Sequence, residues 1–177
     1  HYQGRSLKLI DTAGLRRKAR VEEKLEKLSA LDTLRAIRYA QVAVVLLDGQ
    51  QPVERQDITI ARQVADEGRA LIIAVNKCDL LASKKNTKQM LEQRLESSLA
   101  QVRGVPIVTL SALTGSGIKE LMEAVFSIYE IWNRRVTTAQ LNSWLADMVE
   151  IHPPPLASSG RRIKLRYITQ IKSRPPT

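Results

Sequence analysis

The sequence predicts a doubly wound α/β fold built on a mostly parallel sheet, and three observations predict it. Short apolar runs alternate with amphipathic stretches of helical period. The runs are nearly continuous in Val, Ile, Leu and Ala, the composition of strands covered on both faces. Each run ends in small or polar residues, the place where such a sheet binds its ligands.

Taken in order, Arg5–Ile10 reads as a strand. Val21–Tyr39 reads as a helix with Leu25, Leu28, Leu31, Leu34 and Ile37 on one face. Val42–Leu47 is an aliphatic, β-branched run and the next strand. Glu54–Glu67 is helical and stops at Gly68. Ala70–Val75 is a buried strand, Thr87–Val102 a helix, and Val105–Leu110 a further buried strand. Gly117–Trp132 follows as a helix with Leu121, Val125, Ile128 and Trp132 inward.

The pattern changes after Arg135. Thr137–Val149 predicts a short helix capped by Thr137 or Thr138. Pro153-Pro154-Pro155 cannot continue it. Arg161–Lys172 alternates cations with apolar residues, the period of a half-buried strand. One helix and one strand cannot bury a core. The expected division is therefore an α/β domain over 1–135, incomplete at its N-terminus, and a second small domain over 136–177, cut short at its C-terminus.

The chain has 177 residues, 44% of them hydrophobic and 26% charged, ordinary values for a globular protein with its own core. A single cysteine, Cys78, excludes an internal disulfide and suits a reducing, cytoplasmic setting. With only two histidines, His1 and His152, far apart, a structural zinc site is not expected. No apolar run is long enough to span a membrane. The net charge of +10 invites a polyanion. From Arg134 onward eight cations face two acids, Asp147 and Glu150, so this tail holds +6 of it.

Four groups end the strands: Asp11-Thr12-Ala13-Gly14, Asp48-Gly49, Asn76-Lys77-Cys78-Asp79 and Ser111-Ala112-Leu113. A carboxylate at Asp79 can accept two parallel hydrogen bonds from an edge with adjacent N–H groups, which guanine has and adenine lacks. The Lys77 stem can lie over a flat ring, and the Asn76 amide can tie neighbouring loops together. A polar strand-end turn with an Asx cap explains the same residues without a ligand. Ser111-Ala112 allows a backbone N–H to approach a carbonyl, but alone carries little. Asp11 suits a hydrated Mg²⁺, and Gly14 a close approach to phosphate; a helix cap by Asp11 or Thr12 is the alternative. Asp48-Gly49 reads as a turn.

D-T-A-G, N-K-x-D and S-A, in that order, resemble the third, fourth and fifth motifs of translation-factor-type GTPases. With its flanks, "LIDTAGLRRKARVEEKLEKLSALDTLRAIRYAQVAVVLLD" resembles the second GTPase domain of the Der (EngA) family of tandem GTPases. "TTAQLNSWL…RIKLRYITQIKSRPPT" resembles the start of that family's KH-like domain. The resemblance implies a P-loop-GTPase-type sheet followed by a truncated α+β KH-like domain. It implies GTP and GDP binding by Asp11, Thr12, Ala13, Gly14, Leu15, Asn76, Lys77, Cys78, Asp79, Ser111 and Ala112. Asp11 would hold Mg²⁺ through water and Gly14 would sense the γ-phosphate, the two being the expected catalytic positions. Leu15 to about Lys27 would be switch II. Ras-like enzymes carry a water-orienting Gln where Leu15 stands, and relatives of Der use a bound K⁺ to assist the phosphates. Cys78 stands where the family has Trp. The implied setting is large ribosomal subunit assembly, with rRNA and the other GTPase domain of the same chain as partners, in a cytoplasmic monomer.

No G-x-x-x-x-G-K-[ST] occurs in the sequence, so a phosphate-cradling P-loop and switch I are expected upstream of His1 in a longer protein. GTP hydrolysis is accordingly expected of the longer chain and not of these 177 residues alone. The second expectation is a non-catalytic RNA- or ribosome-binding module that keeps the motifs as scaffold. The tail lacks the GXXG loop of KH domains, which leaves phosphate attraction rather than base reading.

Overall fold

The computed structural model describes residues 1–10, 35–51, 53–98, 104–156 and 160–177. Two compact units emerge, His1–Tyr129 and Glu130–Thr177. The first has the expected α/β architecture. Three parallel strands, β1 (Val42–Asp48), β2 (Ala70–Asn76) and β3 (Ile107–Thr109), lie in the order β1-β2-β3. Val42 pairs with Ala70 and Asp48 with Asn76, so the two strands end level.

Every residue of Ala70–Val75 is buried, because β2 is central and both of its faces are covered. On one face Val45 and Leu47 of β1 join Leu71, Ile73 and Val75 of β2. The helix α1 (Arg55–Asp66) seals that face with Ala61 and Val64, each 1% exposed. Its start is fixed by Asp57, whose Oδ2 accepts the Glu54 N–H at 3.0 Å. The helix α2 (Lys84–Ser98) adds Leu91 to the same core. It begins three residues before the expected Thr87, because the Ser83 Oγ accepts the Asn86 N–H at 3.3 Å and caps the turn. The helix α3 (Ile118–Asn133) follows β3.

Two expected strands, Arg5–Ile10 and Arg161–Lys172, are not found among the described residues. Arg5–Ile10 pairs with no strand among the described residues. Tyr2 and Arg5 instead exchange backbone hydrogen bonds at 3.0 and 2.9 Å. The Tyr2 ring stacks on Phe126 of α3 at 6.0 Å, and the Arg5 guanidinium lies 4.8 Å from the Phe126 centroid. Leu9 and Ile10 remain exposed. β1 also departs from a strand covered on both faces: Val44 and Leu46 are exposed, since the described elements cover only the opposite side.

In the second unit, α4 (Thr138–Ile151) is capped by Thr137. The Thr137 Oγ1 accepts the Gln140 N–H at 3.3 Å, and Gln140 Oε1 accepts the Thr137 N–H at 3.2 Å. The alternating segment Arg161–Lys172 has no ladder among the described residues; Arg162 makes only an isolated bridge with Leu156. Alternation describes two faces but supplies no partner strand, and here side chains take the ladder's place. Asn142 donates to the Ile168 carbonyl at 3.0 Å and accepts the Ile168 N–H at 3.1 Å. Gln170 accepts the Val136 N–H at 2.8 Å.

Candidate functional site

Because β1 and β2 end in register and β3 lies beside β2, three strand ends open onto one edge of the sheet. The backbone continues to knit them beyond the ladder. Gly49 N donates to the Asn76 carbonyl at 2.9 Å, and Cys78 N donates to the Leu110 carbonyl at 3.0 Å.

Asn76 is the joint. Its Oδ1 accepts the Lys77 N–H at 2.8 Å and the Ala112 N–H at 2.9 Å, joining segments 36 residues apart. The tie between loops expected of Asn76 is therefore present. Lys77 takes a left-handed conformation, φ 63° and ψ 36°, which is costly for a side chain of its size. The bond to Asn76 holds it there and turns the chain into a short 3-10 helix, Cys78–Leu80. In consequence Cys78 is turned into the core at 2% exposure, while Asp79 stands exposed on the other side. Among the described residues the Asp79 carboxylate accepts no hydrogen bond.

Ser111 is fully buried, and its hydroxyl serves its own loop: Oγ accepts the Thr114 N–H at 3.2 Å. Ser111 N donates to the Ser116 carbonyl at 2.8 Å and Gly115 N to the Ser111 carbonyl at 2.9 Å. Within residues 111–116 the Leu113 N–H has no acceptor among the described residues, and its side chain is exposed.

Asp48 and Gly49 do make a turn, with Gln50 N donating to Asp48 Oδ1 at 3.0 Å. The sequence reading missed the carboxylate's second partner. Lys77 Nζ lies 2.6 Å from Asp48 Oδ2. No sequence signal marks this pair, because it follows from the parallel register that sets Asp48 beside Asn76 and lets the following residue reach back across the strand gap. The Lys77 ammonium, with the Gln50 N–H, holds the Asp48 carboxyl below its ordinary value of 3.8. A lowered folded-state value means that the charge stabilises the fold above the unfolded value, and that this contribution is lost as pH falls through the folded one. Carbon-detected NMR titration should accordingly find Asp48 ionised below pH 3.8, with Lys77→Met moving its midpoint upward.

Asp11, Thr12, Ala13, Gly14 and Leu15, the expected switch II from Leu15 to about Lys27, and the expected helix Val21–Tyr39 up to residue 34 lie outside the described residues; residues 35–39 are helical. The described residues contain no group of three or more His, Cys, Asp or Glu side chains able to hold a metal. They also contain no helix long and apolar enough to cross a membrane.

The family described as the elongation factor Tu GTP binding domain matches residues 29–130. The family described as the C-terminal KH-domain-like region of EngA bacterial GTPase enzymes matches residues 135–177. A protein named GTPase Der from Parvibaculum lavamentivorans is 56% identical over 176 residues, 99% of this chain and 37% of that protein. GTPase Der from Roseobacter denitrificans is 56% identical over 170 residues, 96% of this chain and 34% of that one. The chain thus spans little more than a third of the length of these curated relatives. Among solved structures, a probable GTP-binding protein engB superposes with TM-score 0.50 at 19% identity, covering 62% of this chain and 69% of that one. The translation elongation factor SelB from Methanococcus maripaludis, in complex with a GTP analogue, gives TM-score 0.50 at 19% identity, covering 60% and 23%. At that identity the two structures speak for the fold alone.

Proposed function

Since the chain belongs to the family of elongation-factor-Tu-type GTP-binding domains and carries the KH-like C-terminal region of EngA bacterial GTPases, we propose that it is the guanine-reading part of a GTPase of ribosome assembly. The observation that carries this reading is the Asn76 joint, which brings Asn76-Lys77-Cys78-Asp79 and Ser111-Ala112 together at one strand edge. Asp79, exposed and without an intramolecular partner among the described residues, would accept the guanine ring N–H and exocyclic amine. Residues 111–116 would meet the guanine carbonyl, and the Leu113 N–H is the amide there without an acceptor among the described residues. Lys77 would lie along the ring, and Ser111, Ala112 and Cys78 would shape the pocket from behind.

The phosphate end of the site is assigned to residues outside the described ones. Asp11 would hold Mg²⁺ through water, Gly14 would meet the γ-phosphate, and K⁺ would assist where Leu15 offers no hydrogen bond. Bound Mg²⁺ supplies charge stabilisation for transfer of the γ-phosphoryl group to water. The remaining proposed setting is the large ribosomal subunit and its rRNA, in the cytoplasm, with a monomeric chain whose other GTPase domain acts alongside. The division into a GTPase domain over 1–135 and a KH-like domain over 136–177 belongs to the same proposal. The basic tail from Arg134 would supply the electrostatic attraction to RNA, steeply weakened by salt.

Equilibrium titration of the full-length protein with fluorescent GDP, competed by GTP, ATP and XTP, tests the base assignment. GTP is expected to displace the probe at least about 10³-fold better than ATP, the order that a site built on paired hydrogen bonds achieves. Equal competition by ATP would remove the guanine reading and leave the non-catalytic RNA-binding alternative.

A further inference from the structure

The Lys77 ammonium has a fixed partner that the nucleotide reading does not require. Asp48 closes β1, Asn76 closes β2, and the two are directly paired in the sheet. The residue after Asn76 is turned by its left-handed backbone, and its Nζ lies 2.6 Å from Asp48 Oδ2. The other Asp48 oxygen is held by the Gln50 N–H at 3.0 Å, so the carboxylate itself has little freedom. The Lys77 side chain is 46% exposed and the Asp48 side chain 26% exposed, so the pair sits at the mouth of the strand edge rather than in the core.

We propose that Asp48 is a positioning residue for guanine nucleotide binding, anchoring the Lys77 ammonium so that the lysine stem is already in place when the base arrives. The inference rests on the base-pocket reading above. Lysine has among the largest rotamer freedoms of any side chain, and a lysine that must cover a ring loses that freedom on binding. An anchor present in the empty site takes the loss at folding instead, and binding becomes tighter by the same amount. The anchor must not be the ligand's own contact, and Asp48 meets that requirement. It is an acid on the neighbouring strand, and a nucleotide phosphate would be repelled by it.

The test is a double-mutant cycle in the full-length protein, read by GDP titration and dissociation kinetics. Asp48→Asn removes the charge yet keeps an oxygen for the Gln50 N–H, so the turn is retained. It should weaken GDP binding about fivefold, the upper range for a partly exposed ion pair. In the Lys77→Met background, which keeps an aliphatic stem without the ammonium, Asp48→Asn should add nothing. Asp48→Glu should recover part of the loss. Unchanged or tighter GDP binding in Asp48→Asn overturns the proposal, and so does an equal loss in the Lys77→Met background. Asp79→Asn, run beside them, separates the two readings. If it lowers GTP affinity while Asp48→Asn is neutral, the anchor alone falls. If it leaves GTP affinity unchanged, the base pocket falls and the anchor with it.

Discussion

Asp79→Asn in the full-length protein is expected to lower GTP affinity by about 10³- to 10⁴-fold and to make XTP the preferred nucleotide. The guanine edge presents two donors, the ring N–H and the amine, and a carboxylate accepts both. An amide can accept only one and must set its own NH₂ against the other donor, leaving a polar group unpaired in the pocket. Xanthine carries a carbonyl where guanine carries the amine, and the NH₂ of the substituted side chain can donate to it. The substitution is well suited to this experiment because Asp79 is exposed and accepts no hydrogen bond among the described residues. The fold should therefore be indifferent to the change. Competitive titration with GTP and XTP reads the result directly, and unaltered GTP affinity would remove Asp79 from the base site.

The second large effect concerns stability. Gly117 immediately precedes α3, with φ at +80°, and is packed against the end of β3. A Cβ there would collide with the Thr109 carbonyl oxygen and lie 2.8 Å from the Leu110 Cα. Both obstacles are backbone atoms of the strand end that carries residues 111–116, so neither can swing aside. Gly117→Ala should cost about 3–4 kcal/mol, from left-handed strain together with displacement of the strand end. Gly115→Ala is the control. It has a similar φ of +78° but nothing within 4 Å of the added carbon, so only the strain of about 1 kcal/mol applies. Denaturant unfolding of both variants measures the difference. Equal losses would mean that the close approach at Gly117 does not hold in solution. Because β3, residues 111–116 and α3 are one continuous path, Gly117→Ala should also weaken nucleotide binding.

The readable and unreadable parts of this chain differ in where their information lies. Ala70–Val75 reads as a buried strand from its six successive apolar residues and is one. The equally apolar Val42–Leu47 leaves Val44 and Leu46 exposed, so composition alone does not tell which strand is covered on both faces. A helix start at Thr137 or Thr138 is legible from the threonines themselves, and the capping box with Gln140 is what fixes it on Thr137. Arg161–Lys172 misleads for the complementary reason. Its alternation is a property of one segment, but a strand is a property of two, and among the described residues the partner is Asn142, a side chain. Arg5–Ile10 misleads likewise, with Tyr2 and Arg5 drawn to Phe126, more than a hundred residues away.

By itself the sequence determined the α/β class, the strand ends and the residue types gathered there, because composition and period are local quantities. It also determined that Asn76-Lys77-Cys78-Asp79 and Ser111-Ala112 close successive strands. Only the tertiary structure decided how those ends join. The register of β1 against β2 sets Asp48 beside Asn76, and Asp48 becomes the partner of Lys77 rather than a turn residue alone. The left-handed turn at Lys77 decides that Cys78 is buried and Asp79 faces water. Such pairings depend on strand register and backbone hand, which are fixed by the packing of the whole sheet and are written in no single stretch of the chain.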